Sequence, residues 1–207
     1  MIQPVPDRSI GAYLEALGSS EPTPGGGSVA GVIGALGCGL GRMVISLTTP
    51  DAGEAITSLA TVDRQLSALQ KHFTDLAERD EAAYQGYRDT ASMPKTSSEE
   101  KTRRRSRMQE ALKTAALVPL ETAESAYELA DCLTPVRQFG NPYLLSDASI
   151  AMLCASCCFE TARLNVNVNL AMIRDEDWVT DIASRLERLA SNMRDKVDPW
   201  RQTRGLC

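Results

Sequence analysis

The sequence contains a single histidine, His72, and few aromatic side chains, which make up 5% of its 207 residues. Many serine and cysteine nucleophiles are activated by a histidine base, and nothing around His72 supports such a pair. Apolar and polar residues do not alternate with period two over any useful length, so no half-buried strand is indicated. These absences argue against histidine-based hydrolases and favour a helical chain.

The chain also lacks an excess of positive charge. Its net charge is -5, which gives no reason to expect nucleic acid or an anionic membrane as a partner. Met1 is followed by Ile2, Gln3 and Pro4, without the basic and apolar regions of a secretory signal. We therefore expect a cytoplasmic protein.

Six cysteines are present, and none is needed for a disulfide framework in a chain of this length. Cys154, Cys157 and Cys158 resemble the start of a metal site, but no second close cysteine pair follows. We interpret most of them as small buried side chains with reduced thiols. The six are Cys38, Cys132, Cys154, Cys157, Cys158 and Cys207.

Residues 29–47 form one long apolar stretch, about the length of a membrane span. Arg42 lies within it, and Gly31, Gly34, Gly37 and Gly41 leave little side-chain bulk. A close-packed core helix that another helix can approach closely is the preferred interpretation, and a membrane span is the alternative.

Apolar residues elsewhere recur at helical spacing, which predicts a single all-α domain over residues 1–207, a bundle of about six helices. The first helix should bury an apolar face, the second should run to about Thr49, and the sixth should begin near Glu176. The expected caps are Asp7, Ser28, Ser97 with Glu100 as a capping box, and Ser146 or Asp147, for the first, second, fourth and fifth helices. The face expected on the first helix is Ile10, Tyr13, Leu14 and Leu17.

The third helix carries an apolar seam interrupted by one carboxylate. Asp80 occupies a position where the spacing of three and four demands an apolar residue. A desolvated carboxylate has a raised pKa and suits proton transfer near neutrality. The alternatives are a buried Asp paired with a Lys or Arg, or a position where the seam has turned to solvent. The seam is Leu59, Val62, Leu66, Leu69, Phe73, Leu76, Asp80, Ala83 and Tyr87.

The turn Gly25-Gly26-Gly27-Ser28 stands at the expected start of the second helix. Free main-chain amides and the helix dipole attract anions or carbonyl oxygens there, and glycine permits close approach by a ligand. The turn fits neither a Walker loop nor a dinucleotide fingerprint. A plain connection between two helices is the alternative.

Two further groups of polar residues are candidates for ligand contacts. Asn165 and Asn169 share one face of the fifth helix, where asparagine needs partners or a ligand. A basic cluster opens the fourth helix and could receive the carboxylates of an acidic ligand. A solvated face paired with neighbouring glutamates is the preferred interpretation of that cluster, which comprises Lys101, Arg103, Arg104, Arg105 and Arg107.

Taken in order, the motifs resemble the cyclodeaminase/cyclohydrolase family, which includes the C-terminal domain of formiminotransferase-cyclodeaminase and stand-alone methenyltetrahydrofolate cyclohydrolases. The resemblance covers nearly the whole chain. The motifs are Pro22-Thr23-Pro24-Gly25-Gly26-Gly27-Ser28-Val29-Ala30, Met43-Val44 with Leu47-Thr48, Asp80-Glu81-Ala82-Ala83-Tyr84, Met93-Pro94-Lys95, Gln109-Glu110-Ala111-Leu112, Val118-Pro119-Leu120, Gly140-Asn141-Pro142, Ser146-Asp147 and Leu164-Asn165-Val166-Asn167-Val168-Asn169-Leu170.

The resemblance implies an all-helical homodimer that uses no metal or other cofactor and binds a tetrahydrofolate derivative at the glycine-rich turn and facing helices. Within that site we expect Asp80 to move protons, Asp147 to help orient the pterin or water, and Lys95 to hold the glutamate carboxylate. The expected substrate-binding residues are Gly25, Gly26, Gly27, Ser28, Asn141, Asn165 and Asn169.

Two reactions act on the same folate carbon. Hydrolysis of 5,10-methenyltetrahydrofolate to the 10-formyl product is preferred, because no formiminotransferase domain accompanies the chain. The alternative is cyclodeamination of 5-formiminotetrahydrofolate. Residues 49–54 lack the basic, aromatic-bearing segment common in the family. That departure keeps a non-catalytic homologue, binding folate or a protein, as a further alternative.

Overall fold

The computed structural model describes residues 3–49 and 53–201, and every regular element in them is helical. The prediction of an all-α bundle of about six helices is confirmed. Two short 3-10 turns, Val5–Asp7 and Pro142–Leu144, precede the first and fifth helices. The helices are α1 (Ile10–Leu17), α2 (Gly26–Ser46), α3 (Gly53–Ala91), α4 (Ser98–Phe139), α5 (Leu145–Leu170) and α6 (Glu176–Arg201).

The glycine-rich helix α2 packs against α3, α4 and α5 at distances that larger residues would not allow. A Cβ atom at Gly34 would lie 2.6 Å from the ring of Phe73, and one at Gly37 would lie 3.0 Å from Cys154 and Leu129. The predicted close packing is therefore confirmed. By length and composition, α2 and the stretch Pro142–Leu170 are each apolar enough to cross a membrane, but half of the α2 stretch is buried within the bundle.

Helix α2 runs antiparallel to α3, so the first turn of α2 lies beside the middle of α3. Gly27 meets Asp80, whereas Gly41 meets Leu66. The end of α3 and the start of α4 therefore extend beyond the first turn of α2. Ser97 and Glu100 form the predicted capping box at the start of α4, which continues unbroken through Pro119 to Phe139.

The other three predicted helix caps are wrong. Ser9, not Asp7, caps α1, and Asp7 lies in the preceding 3-10 turn. Ser28 lies inside α2, which begins after Gly25, because its hydroxyl is engaged by side chains of other helices. Helix α5 follows directly on a 3-10 turn, which leaves Ser146 and Asp147 in its first turn without a capping bond.

The predicted apolar face of α1 is mostly uncovered. Tyr13 is buried, but Ile10 is 80% exposed and Leu14 is 59% exposed. They border an apolar groove of about 740 Å³ between α1 and α2 that also includes Val32 and Leu36. Helix α6 behaves as expected: its apolar residues, including Ile182, Leu186, Met193 and Val197, pack on the core.

Candidate active site

A pocket opens at the first turn of α2, between α3, α4 and α5. Its volume is about 280 Å³, near the lower end of the range for small-molecule sites. Six of the ten predicted site residues line it: Gly25, Gly26, Gly27, Asp80, Asn165 and Asn169. The remaining wall is Pro22, Thr23, Ala83, Tyr84, Tyr87, Leu112, Ala115, Val168 and Met172.

Asp80 lies against the first turn of α2. Its carboxylate occupies the space above Gly27 that a Cβ atom would fill, so only glycine at position 27 permits this contact. The main-chain N–H of Ser28 donates a hydrogen bond to the carboxylate. Burial raises the pKa of Asp80 to about 6; the Ser28 hydrogen bond lowers it in part, and the charge of Glu81 raises it. Such a carboxyl can accept and release a proton near neutrality.

Asn165 and Asn169 present carbonyl oxygens to the pocket. The side-chain amide of Asn165 donates to the Thr161 carbonyl at 3.0 Å, and that of Asn169 donates to the Ala115 carbonyl at 2.9 Å. Since both partners are carbonyl oxygens, they fix each side chain with its nitrogen toward the main chain. No donor among the described residues satisfies the two Oδ1 atoms, which remain available to a ligand.

Tyr84 and Tyr87 add aromatic surface that the sequence interpretation did not assign to the site. Both lie within two helical turns of Asp80 on α3, and Tyr87 belongs to the same seam. After Leu76 the seam is no longer fully buried, because α3 continues beyond the first turn of α2. The last members of the seam therefore face the pocket and not the core. The pocket thus combines one carboxylate, two amide oxygens and two aromatic rings.

Behind Asp80, a buried network joins the N-terminal segment to α2 and α3. Arg8 donates two parallel hydrogen bonds to Glu81, of 3.1 and 3.0 Å. The Ser28 hydroxyl donates to Glu81 at 3.1 Å, and the hydroxyls of Ser28 and Tyr13 are 3.0 Å apart. Because Ser28 has one hydroxyl hydrogen, Tyr13 is the donor in its contact with Ser28. Ser28 is fully buried and does not line the pocket.

Comparison with known proteins identifies the family of this chain. The sequence profile described as formiminotransferase-cyclodeaminase matches residues 9–188. The chain belongs to this family. A methenyltetrahydrofolate cyclohydrolase from Methylorubrum extorquens is 35% identical over 88% of this chain and 89% of its own length.

Bifunctional members of the formiminotransferase-cyclodeaminase family are longer. The formimidoyltransferase-cyclodeaminase of Rattus norvegicus is 31% identical over 88% of this chain, which spans only 34% of that relative. A solved structure, the formiminotetrahydrofolate cyclodeaminase of Thermotoga maritima, superimposes with a TM-score of 0.85 at 26% identity and covers 96% of each chain. The family therefore includes short chains named for each of the two reactions.

Besides Ser28, three predicted site residues do not line the pocket. Asn141 lies at the far end of α2, where its main-chain N–H donates to Thr48 at 2.9 Å. Asp147 precedes Asn165 by about 27 Å along α5, at about 1.5 Å per residue. Lys95 is exposed between α3 and α4. Sequence order gave no measure of these separations, because motifs that follow one another along the chain can lie at opposite ends of a long helix.

The other candidate clusters do not form a second polar site in the described residues. Arg107 pairs with Glu110, as expected of a solvated face, and the whole basic cluster lies outside the pocket lining. Burial raises the pKa of the Cys132 thiol to about 11, which keeps it protonated. No group of three metal-binding side chains occurs in the described residues. Cys207 and residues 50–52 of the segment 49–54 lie outside them.

Proposed function

We propose that this protein hydrolyses 5,10-methenyltetrahydrofolate to 10-formyltetrahydrofolate. The observation that carries the proposal is the protonatable Asp80 carboxylate at an open pocket that also holds the side-chain amides of Asn165 and Asn169. The substrate's N5–C–N10 bridge is a cationic amidinium, which a carboxylate and carbonyl oxygens stabilise. The aromatic rings of Tyr84 and Tyr87 supply flat surfaces for the pterin or aminobenzoyl ring.

In the proposed reaction, Asp80 accepts a proton from water as the water oxygen bonds to the bridge carbon. The tetrahedral carbon then loses its bond to N5, Asp80 returns its proton to N5, and the hydroxyl becomes the formyl oxygen as it releases a proton. Asn165 and Asn169 are placed to hold the pterin N–H groups or the water. The net change is addition of one water and release of one proton.

Cyclodeamination of 5-formiminotetrahydrofolate is the second candidate, because the Thermotoga maritima structure carries that name and shares the fold. In that reaction N10 attacks the formimino carbon, ammonia leaves and the methenyl bridge forms. The same carboxylate would carry the proton from N10 to the leaving nitrogen. Hydrolysis is preferred because the Methylorubrum extorquens cyclohydrolase is a relative of similar length with higher identity.

An absorbance assay distinguishes the candidates, since only the methenyl form absorbs strongly in the near ultraviolet. We expect the purified protein to speed the loss of that absorbance from methenyltetrahydrofolate, with no ammonia release from the formimino compound. Ammonia release with a rise in absorbance would select the cyclodeaminase. Inactivity in both assays, with retained binding of a folate analogue, would select the non-catalytic homologue.

We further propose that the reaction uses no metal or prosthetic group and takes place in the cytoplasm. Neither reaction transfers electrons, and the carboxylate and amide oxygens provide the proton transfer and charge stabilisation that both require. The five described cysteines are free thiols, which suits a reducing compartment. Dialysis against a chelator should leave turnover unchanged, and cell fractionation should place the protein with soluble enzymes.

The proposed assembly is a homodimer built on the uncovered apolar faces of α1, α2 and α5, without membrane or nucleic-acid contacts. Leu36 is 59% exposed, and α5 carries an exposed apolar stripe that includes Ile150, Leu153, Leu164 and Val168. Helices α2 and α5 are neighbours, so their uncovered faces can form one patch of the kind that marks an interface.

Light scattering on a sizing column tests the dimer. Leu36→Asp should yield a monomer, whereas Leu117→Asp, at an exposed leucine of α4, should remain a dimer. Dimers from both variants would contradict this interface. Asp147 and Asn141 can reach the Asp80 pocket only if a second copy of the chain brings the start of its α5 beside that pocket, and we propose that they contribute to the partner's site in this way. Lys95, beyond the end of α3, remains a proposed contact for the glutamate carboxylate.

A further inference from the structure

The most buried ion pair in the described structure lies behind the pocket. The side chains of Arg8 and Glu81 are 9% and 13% exposed, whereas every other described ion pair has a side chain more than a third exposed. Burying two charges is costly unless further hydrogen bonds satisfy them. Here Arg8 also donates to the Gln3 carbonyl at 2.7 Å, and Glu81 accepts from Ser28.

Ser28 connects this pair to Asp80. Its main-chain N–H donates to the Asp80 carboxylate, while its hydroxyl donates to Glu81 and accepts from Tyr13. Tyr13 and Glu81 hold the Ser28 side chain in place, so they also fix the Ser28 main-chain N–H that binds Asp80. Glu81 also follows Asp80 directly on α3, so the ion pair constrains the same helical turn.

We propose that Arg8, Tyr13 and Glu81 are positioning residues for Asp80 that act through Ser28, with Glu81 and Arg8 biasing Asp80 toward opposite protonation states. The proposal rests on the proton-carrying role of Asp80 proposed above. Under this proposal the N-terminal segment contributes to the active site, although Arg8 lies just before the residues that the family profile matches, 9–188.

The charges that face Asp80 fix the sign of each effect. Helix α3 contributes Glu81, the N-terminal segment contributes Arg8, and α1 contributes Tyr13, which is neutral because burial raises its pKa. Helix α2 contributes the Ser28 amide. Removing the Glu81 charge should therefore lower the pKa of Asp80. Removing Arg8 leaves Glu81 unopposed and should raise the pKa of Asp80, by less because Arg8 pairs with Glu81 and not with Asp80.

The test compares Glu81→Gln, Arg8→Gln and Tyr13→Phe with Asp63→Asn. Asp63 pairs with Arg42 at 3.0 Å across α2 and α3, away from the pocket, and serves as the matched control. The protonation of Asp80 is followed by carbon-13 NMR of labelled aspartates, with Asp80→Asn identifying its signal. The pH profile of turnover is recorded in parallel.

We expect the Asp80 midpoint to fall by about one pH unit in Glu81→Gln and to rise by a smaller amount in Arg8→Gln. Tyr13→Phe should lower turnover with little change in the midpoint, and Asp63→Asn should change neither. Unchanged midpoints in both charge variants, or movement in the same direction, would overturn the proposal.

A folding defect and an incorrect reaction each have their own control. If Arg8→Gln fails to fold, Arg8→Lys replaces it: the retained charge should keep the midpoint near wild type, and a shift as large as that of Glu81→Gln would count against the charge argument. The NMR titration needs no turnover. If the wild-type protein is inactive on folates but the two charge variants shift the Asp80 midpoint in opposite directions, the proposed function is wrong and the positioning role of these residues is supported.

Discussion

Asp80→Asn separates what the carboxylate does for catalysis from what it does for stability. Asparagine keeps the shape of the side chain above Gly27 and removes its ability to transfer a proton. We expect turnover to fall roughly 10²–10⁴-fold, the usual contribution of a general acid or base. Binding of a folate analogue should persist, because the amide oxygens and tyrosines are unchanged.

The stability effect should have the opposite sign. The pKa of Asp80 is about 6 in the folded protein against an ordinary value of 3.8, so the folded state holds the proton more tightly. As pH rises from about 4 to above 6, ionisation destabilises the folded state relative to the unfolded chain. At about 1.4 kcal/mol per pH unit the difference is worth at most about 3 kcal/mol. Asparagine removes this cost above pH 6. Part of the gain is lost, because the neutral amide oxygen accepts a weaker hydrogen bond from the Ser28 N–H than the carboxylate does.

Denaturant unfolding across pH measures this directly. The free energy of unfolding of Asp80→Asn should match wild type near pH 4 and exceed it by about 1–3 kcal/mol at pH 8. A variant less stable than wild type at pH 8 would mean that Asp80 stabilises the fold through an ion pair. Turnover near wild type would refute the catalytic role and make Asp147 the leading candidate.

Three further predictions concern the pocket and its support. Gly26→Val should weaken binding of a folate analogue more than it lowers the melting temperature, because a Cβ there meets Asn165 only at 3.5 Å while the branched side chain fills the pocket; unchanged affinity, measured by calorimetry, would remove the turn from the site. Gly34→Leu should lower the free energy of unfolding by about 1–3 kcal/mol or more, because the side chain would collide with the Phe73 ring. Gly39→Ala is the control: an added Cβ there meets only the end of the Gln70 side chain, at 3.4 Å, and should be neutral or stabilising in the same unfolding experiment. In steady-state kinetics, kcat/KM should rise tenfold per pH unit below about pH 6, because the reaction needs ionised Asp80. The midpoint of the kcat profile should lie at a lower pH than that of kcat/KM, since the bound cationic substrate favours ionised Asp80. Equal midpoints in the two profiles would argue against a contact between the two charges.

Local periodicity predicted the helices well because it reports directly on which face is buried. The seam from Leu59 to Leu76 and the close-packed glycines of α2 followed from spacing and residue volume alone. The position of Asp80 on that seam also singled it out correctly as a partly desolvated carboxylate. The glycine turn and Asp80 meet because the antiparallel packing of α2 and α3 places them at the same level, and Asn165 joins them because α5 packs beside Gly26.

The misses come from interactions between distant parts of the chain. Ser28 has the composition of a helix cap, but Tyr13 and Glu81 engage its hydroxyl, and that demand is visible only in three dimensions. The Arg8–Glu81 pair joins residues on separate elements, and no local pattern marks it. Asn141 and Asp147 were grouped with the site through their family motifs, which carry no information on how far apart the residues lie in the fold.

The last prediction addresses that question through subunit exchange. Asp147 and Asn165 lie near opposite ends of α5, and the exposed stripe on this helix runs from Ile150 to Val168. A two-fold axis near the middle of this stripe would pack α5 against its copy and place the partner's α5 start beside each pocket.

Under this arrangement each active site takes Asp80 from one chain and the position-147 carboxylate from the other. Asp80→Asn and Asp147→Asn homodimers should then both be impaired, and an equal mixture refolded together should regain about a quarter of wild-type turnover, because half the dimers are hybrids with one intact site. A mixture no more active than its parents would show that no site is shared, and full activity of Asp147→Asn alone would show that the carboxylate has no part in turnover.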